Sequence, residues 1–226
     1  SITVVFIYKL GKKSFNIRVA IIASLIYTFS NYHIFFAHET RVYALFTLLT
    51  AVSMYAFLSL SMDIKSKKYF YLLVISNVLL IYSHFFGFFV LAIQALSILS
   101  IRDFRRNILK TYSVGLLITF LFYAPYLKIF LSRFFSSAGG TWVSTPRIES
   151  LYNILWDFSN APVNIVIFLL IFLAALVLVL FNKNVNYDPS HSKAVVIWFL
   201  FPYLFIFCIS FLIPMFIDRY LVFVSI

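Results

Sequence analysis

Charge is what this chain has least of. Only 11% of its 226 residues are Asp, Glu, Lys or Arg, against about 25% in a soluble domain. Its 63% hydrophobic content, 21% aromatic content and mean hydropathy of +1.01 make it a polytopic membrane protein, to which length-based domain counting does not apply. We treat residues 1–226 as one transmembrane domain. Cysteine is nearly absent: Cys208 stands alone in an apolar run, which excludes an intrachain disulfide and leaves small buried packing as its expected role. A Gly-rich phosphate loop of the Walker or dinucleotide kind, a paired-cysteine metal signature and a nucleophile elbow are all missing, so three classes of site are set aside. There is no initiator Met, and the apolar stretch Ile2–Tyr8 is too short for a signal peptide. Both ends fall inside apolar runs, Ile2–Tyr8 and Tyr220–Ile226, and read as partial spans of a longer protein.

What is abundant is apolar run length. A spanning helix needs about 20 residues to cross a ~30 Å core. Charge-free runs cover Val19–Ala37, Val42–Leu60, Tyr69–Ile101, Thr111–Leu127, roughly Ala161–Phe181 and Ala194–Ile217. Tyr69–Ile101 is too long for one pass, since 33 residues at 1.5 Å rise measure about 50 Å. Taking the Lys9/Lys12/Lys13/Arg18 loop as cytoplasmic, the positive-inside rule requires two passes here, with a break near Ser83–Gly87. The expected fold is therefore all-α and polytopic, with about seven complete spans plus partial spans at both ends.

This topology places 13 basic and three acidic residues inside, and five basic and four acidic residues outside. The formal charge of +11 is thus mostly topological, with basic loops facing an anionic leaflet, and nucleic acid is not needed to explain it. The external loop 132–160 has structure of its own. Ser144-Thr145-Pro146 reads as a helix start. Ile148, Leu151, Leu155 and Phe158 then recur on one helical face, and Trp142 and Trp156 suit headgroup depth, which predicts an interfacial helix on the outer leaflet.

One stretch organises the rest: Ser30-Asn-Tyr-His-Ile-Phe-Phe-Ala-His-Glu-Thr-Arg-Val-Tyr43. It crowds His38, Glu39 and Arg41 into a short turn between two apolar runs, and ionisable groups near lipid must pair or face a wet cavity. The plain alternative is a polar interhelical turn with a local Glu39–Arg41 pair. However, His84, Trp142, Asp218 and Arg219 map to the same external side, which is what a membrane-embedded site needs. Each also has a structural reading: Arg219 and Trp142 as headgroup anchors, His84 as the satisfied side chain of a buried turn.

Phe29–Leu45, with its His38-Glu39-Thr40-Arg41-Val42-Tyr43 centre, resembles the Ser-Gln-Glu-x-Arg-x-Tyr-x-Leu segment of the dolichyl-phosphate-mannose–protein mannosyltransferase-like family. These are family 39 glycosyltransferases of the GT-C fold. Tyr82–Gly87, Ala124-Pro125-Tyr126-Leu127 and Asp218-Arg219-Tyr220-Leu221 fit in order, while Ala37-His38 replaces the usual Ser-Gln. The resemblance implies transfer of a sugar from a polyprenyl-phosphate carrier to a protein or lipid-linked glycan acceptor, at the external face of the cell membrane. It implies substrate contacts from His38, Glu39, Arg41, Tyr43, His84 and Arg219, and the place of Trp142 on the same external side adds it as a sugar-stacking candidate. It also implies an acidic general base upstream of Ser1, so that these residues alone are expected to be inactive. Arg is the better phosphate partner by geometry, and Arg41 and Arg219 are the candidates. Glu39 could orient Arg41, bind a sugar hydroxyl or help a divalent ion; no metal-ligand set and no firm cofactor is read.

Two rival functions are weighed. A transporter or flippase of lipid-linked sugars would tend to show repeated halves with interrupted helices, and no long-period repeat is found. A membrane scaffold would leave the external polar cluster unexplained. The topology has a direct check, single-cysteine labelling at Ser83 with an impermeant reagent. We expect labelling from the external side; labelling only from the cytoplasmic side contradicts the two-pass reading.

Overall fold

The computed structural model describes residues 1–137, 143–161, 164–168, 170 and 189–226, with side chains of 133–137 not described. Among these residues the regular structure is entirely helical, in agreement with the all-α expectation. The helices are α1 (Ile2–Ser14), α2 (Ile17–Thr28), α3 (Asn31–His38), α4 (Tyr43–Met62), α5 (Lys67–Ser83), α6 (Gly87–Ser100), α7 (Arg102–Tyr123), α8 (Leu127–Ser137), α9 (Ile148–Ser159) and α10 (Pro189–Ile209). Short 3-10 turns cover Ala124–Tyr126 and Asp218–Tyr220.

Helix α4 is the centre. It is apolar all round, as a buried helix must be, and Met54, Ala56, Phe57, Leu58 and Leu60 are fully buried. It packs most extensively against α5 and α1; α5 and α6 pack on α7, and α6 also on α10. The expected break in the third apolar run is present, α5 ending at Ser83 and α6 beginning at Gly87. Gly87 is required there by space: a Cβ would sit 2.7 Å from the Leu80 carbonyl oxygen. Across the helices, Ser53 of α4, Asn77 of α5 and Gln94 of α6 close a buried polar triad. Ser53 donates to Asn77 Oδ1 (2.5 Å), Asn77 donates to Gln94 Oε1 (3.1 Å), and Gln94 donates to Ser53 Oγ (2.6 Å).

The expectation of about seven complete spans is not met among the described residues. Three segments are long and apolar enough to cross a membrane: Tyr43–Met62, Arg102–Ser132 and Pro189–Ile209. The number rises to four if α2 and α3 form one span bent by 54°. Helices α5 and α6, with 17 and 14 residues, fall short, and the expected span Ala161–Phe181 lies largely outside the described residues.

Further corrections have local causes. Val19–Ala37 is not one helix, because Ser30 caps α3 and the chain bends there. Lys9, Lys12 and Lys13 are not in a loop; they ride on α1, with Lys9 and Lys13 over the rings of Phe6, Tyr55 and Tyr69. Arg102, Arg105, Arg106 and Lys110 form the first turns of α7 rather than a connecting segment. The last apolar run ends its helix at Ile209, and Tyr220–Ile226 is not a partial span. It folds into the core as a non-helical segment, with Leu221, Val222, Phe223 and Val224 at 0–3% exposure.

Helix α9 forms as expected but starts at Ile148, with Arg147 as its N-cap. Leu151, Ile154, Leu155 and Phe158 pack on the core, while Ile148 points away at 79% exposure. Asn160 closes α9 in the left-handed region at φ 69°, a conformation Asn tolerates better than most residues. Its side chain then spans the α2–α3 bend, accepting from the Asn31 N–H (2.8 Å) and donating to the Phe29 carbonyl (3.2 Å).

The triad generates a prediction. Gln94→Leu strips Asn77 of its acceptor and leaves a buried amide donor unpaired, a loss of about 1–3 kcal/mol, towards the lower end if lipid-exposed competitors help the unfolded state. Thermal unfolding in nanodiscs measures it, and an unchanged midpoint would mean that the triad adds nothing to stability.

Candidate functional site

The site lies where four helix interruptions meet. The first is the turn after α3. Its C-cap is Glu39, and the Arg41 N–H donates to the Glu39 carbonyl at 2.8 Å, a tight reversal that presents both side chains before α4 begins at Tyr43. Arg41 and His38 are exposed, Glu39 is half-buried and Tyr43 is buried. His38 Nδ1 is paired with the Ile34 carbonyl of its own helix (2.8 Å). Among the described residues Glu39 makes no ion pair with Arg41, and Glu39 Oε2 is buried without a hydrogen-bond partner.

The second interruption is His84-Phe85-Phe86. His84 caps α5 in extended conformation, and its Nδ1 accepts the Phe86 N–H at 3.1 Å. Its ring is surrounded by those of Phe46 (5.1 Å), Phe86 (5.5 Å), Tyr220 (5.8 Å) and Tyr43 (6.1 Å). Burial pushes the imidazole down to about 4, so it is neutral at physiological pH.

The third is the Asp218–Tyr220 turn. Asp218 Oδ1 accepts the Arg219 N–H (2.7 Å), the Tyr32 hydroxyl donates to the Asp218 carbonyl (2.5 Å), and Tyr220 stacks on Phe86 (5.0 Å). Burial raises the Tyr220 phenol above its ordinary value; Tyr43 adds to this, and the Arg219 and Arg41 guanidiniums oppose it. Tyr220 packs on His84, whose ring also meets Tyr43, the residue that opens α4 after the Arg41 turn. The structure thus brings Tyr43, His84 and Tyr220 together, and with them the turns that carry Arg41 and Arg219. It leaves His38 on its own helix, and Trp142 lies outside the described residues.

The fourth is the end of α9, and here sequence reading missed residues. Asp157, Trp156 and Asn160 join Asn31, Tyr32, Phe35, Phe36 and Asp218 around a cavity of about 250 Å³. Burial raises the Asp157 carboxyl, and the nearby Asp218 carboxylate raises it further. Phe36 separates this cavity from Tyr43, with ring centroids 5.2 Å apart. The only sequence signals were the external placement of the two acids and an aromatic next to one of them. Nothing in the chain order brings residue 157 to residue 31. Among the described residues no group of three or more His, Cys, Asp or Glu stands together as a metal site.

These features define a helical membrane protein whose polar residues collect at helix breaks. Residues 6–108 match the family model described as Protein O-mannosyl-transferase TMEM260 N-terminal domain. The match covers a little under half of the chain, from α1 into α7; it takes in the 38–43 turn and His84 and stops before Asp157 and Arg219. No curated protein and no solved structure matches the chain.

His84 carries a pH prediction. Because its folded-state value lies below that of a free imidazole, the unfolded chain binds the extra proton first. Its contribution is complete above about pH 6.5 and is lost as pH falls towards about 4. His84→Asn keeps an acceptor for the Phe86 N–H but cannot titrate. Unfolding midpoints at pH 7 and pH 5 should fall more for wild type than for the variant, and equal falls would show that His84 is not the titrating group.

Proposed function

We propose that the protein is an integral-membrane glycosyltransferase of the GT-C, family 39 type. It moves a sugar from a polyprenyl-phosphate carrier to a protein or lipid-linked glycan acceptor at the external face of the cell membrane. The observation that carries this reading is the packing of the His84 ring between Tyr43 (6.1 Å) and Tyr220 (5.8 Å), which joins the turn of Arg41 to the turn of Arg219, far apart in sequence. The likeness of residues 6–108 to a family named for protein O-mannosyl transfer supports it independently.

In this reading the two guanidiniums hold the donor phosphate. As the bond between the sugar C1 and the phosphate oxygen breaks, the electron pair stays on the leaving polyprenyl phosphate, and two fixed cations stabilise the growing charge. The acceptor oxygen bonds to C1 and gives up its proton to a base that we assign to none of these residues. Tyr43, Tyr220 and neutral His84 set the wall against which the arginines are placed. His38 and Glu39 lie at the rim, where Glu39 can bind a sugar hydroxyl; Trp142 retains its proposed place as a substrate contact from the external loop.

Arg41 is the residue to test. Arg41→Lys keeps the charge but loses the planar fork, and should weaken donor binding in the full-length protein. Arg41→Ala should cost about 1.5–3 kcal/mol, roughly ten- to a hundredfold in affinity. The control is Arg147→Ala: Arg147 is exposed, and its N–H is held by Ser150 Oγ at 3.0 Å whatever the side chain. Wild-type donor affinity and turnover in folded Arg41→Ala would return this turn to an interhelical connection.

A further inference from the structure

The cavity at the end of α9 combines aromatic, carboxylate and amide residues. Trp156 and Phe35 stand at its edge at 42% and 60% exposure, large aromatic faces that are not needed to fill the core. Asp157, Asp218 and Asn31 share the lining with them. Among the described residues the Asp157 carboxylate and the Asn31 amide have no hydrogen-bond partner, so their donor and acceptor capacity is open to a ligand. Asn160 is different: both ends of its amide are bound to the main chain at Phe29 and Asn31, so it holds the wall in place.

An aromatic face beside carboxylate and amide groups suits one chemical class well. A pyranose has an apolar C–H face that lies on an aromatic ring and a rim of hydroxyls that donate to carboxylates and bond to amides. A phosphate or other anion is disfavoured by the two acids. Drug-sized ligands occupy roughly 300–1,000 Å³, so about 250 Å³ suits a single ring and not a longer glycan.

We propose that this cavity is a monosaccharide subsite, in which Trp156 stacks on the ring and Asp157 and Asp218 accept its hydroxyls. It rests on the glycosyltransferase reading for which sugar is delivered there, and on the cavity alone for sugar binding. The two sites share one turn, since Asp218 lines the cavity and Arg219 follows it in the same 3-10 turn. A donor held by its phosphate at the arginines would thus have its sugar ring within reach of the acids.

The test uses the full-length protein in nanodiscs and two separate probes. Methyl α-mannopyranoside, followed by saturation-transfer NMR, reports the cavity; decyl phosphate, which carries no sugar, reports the arginines. Trp156→Ala and Asp157→Asn should each weaken mannoside binding by about five- to tenfold, with decyl phosphate binding unchanged and so certifying the fold. Trp156→Phe should keep most of the mannoside binding, because a stacking face remains, and Arg147→Ala should leave both probes unaffected. Mannoside binding at wild-type strength in both cavity variants, or no mannoside binding by the wild type, overturns the subsite. If the cavity variants behave as expected while Arg41→Ala leaves decyl phosphate binding intact, the subsite stands and the phosphate part of the glycosyltransferase reading fails.

Discussion

Irregular backbone inside an apolar bundle must find its hydrogen bonds within the protein. Much of this structure follows from how that demand is met for Ile217–Ile226. The segment is buried and not regularly helical, so helices far away in sequence supply its partners. Tyr32 donates to the Asp218 carbonyl, Trp198 donates to the Phe223 carbonyl at 2.9 Å, and His33 pairs with Ser225. Phe46 and Phe86 pack against Phe223. Without these partners the Asp218–Tyr220 turn would have no fixed place, and neither cluster that it completes would exist.

The same rule explains why the candidate site lies at helix breaks. A continuous spanning helix spends its polar backbone groups on itself and presents only side chains. At the α2–α3 bend, at His84–Phe86 and at Asp218–Tyr220 the backbone is instead satisfied by side chains: Asn160, His84 and Tyr32 respectively. Those side chains fix the breaks, and the breaks bring charge and aromatic rings to one place. Asp218 is the joint between the two halves. Its carbonyl is anchored by Tyr32, its Oδ1 holds the Arg219 N–H, and it lines the cavity together with Asp157.

Much of this was legible from charge placement alone. The α5–α6 break followed from charge counting along Tyr69–Ile101, and α9 from its apolar spacing. The lysines of α1 were misread because cations that lie over Tyr and Phe rings do not interrupt a helix. The α2–α3 bend was missed because no charge marks it; its signal is the Ser30 cap, set within an unbroken apolar run. Tyr220–Ile226 has the composition of a span, and only its tertiary burial shows otherwise. Of the residues named from the sequence, Tyr43 and His84 pack together and His84 meets Tyr220, the residue after Arg219. The joining of Trp156, Asp157 and Asn160 to Asn31 and Asp218 was not legible, since it is set by folding.

The turns carrying Arg41 and Arg219 are proposed to form a single anion site. A double-mutant cycle of Arg41→Ala and Arg219→Ala on decyl phosphate binding in the full-length protein tests it most directly. If both guanidiniums hold one phosphate, the two losses are coupled, with an interaction energy above about 0.5 kcal/mol. Additive losses within that margin, or no loss from either change, would mean that the two arginines do not share a ligand.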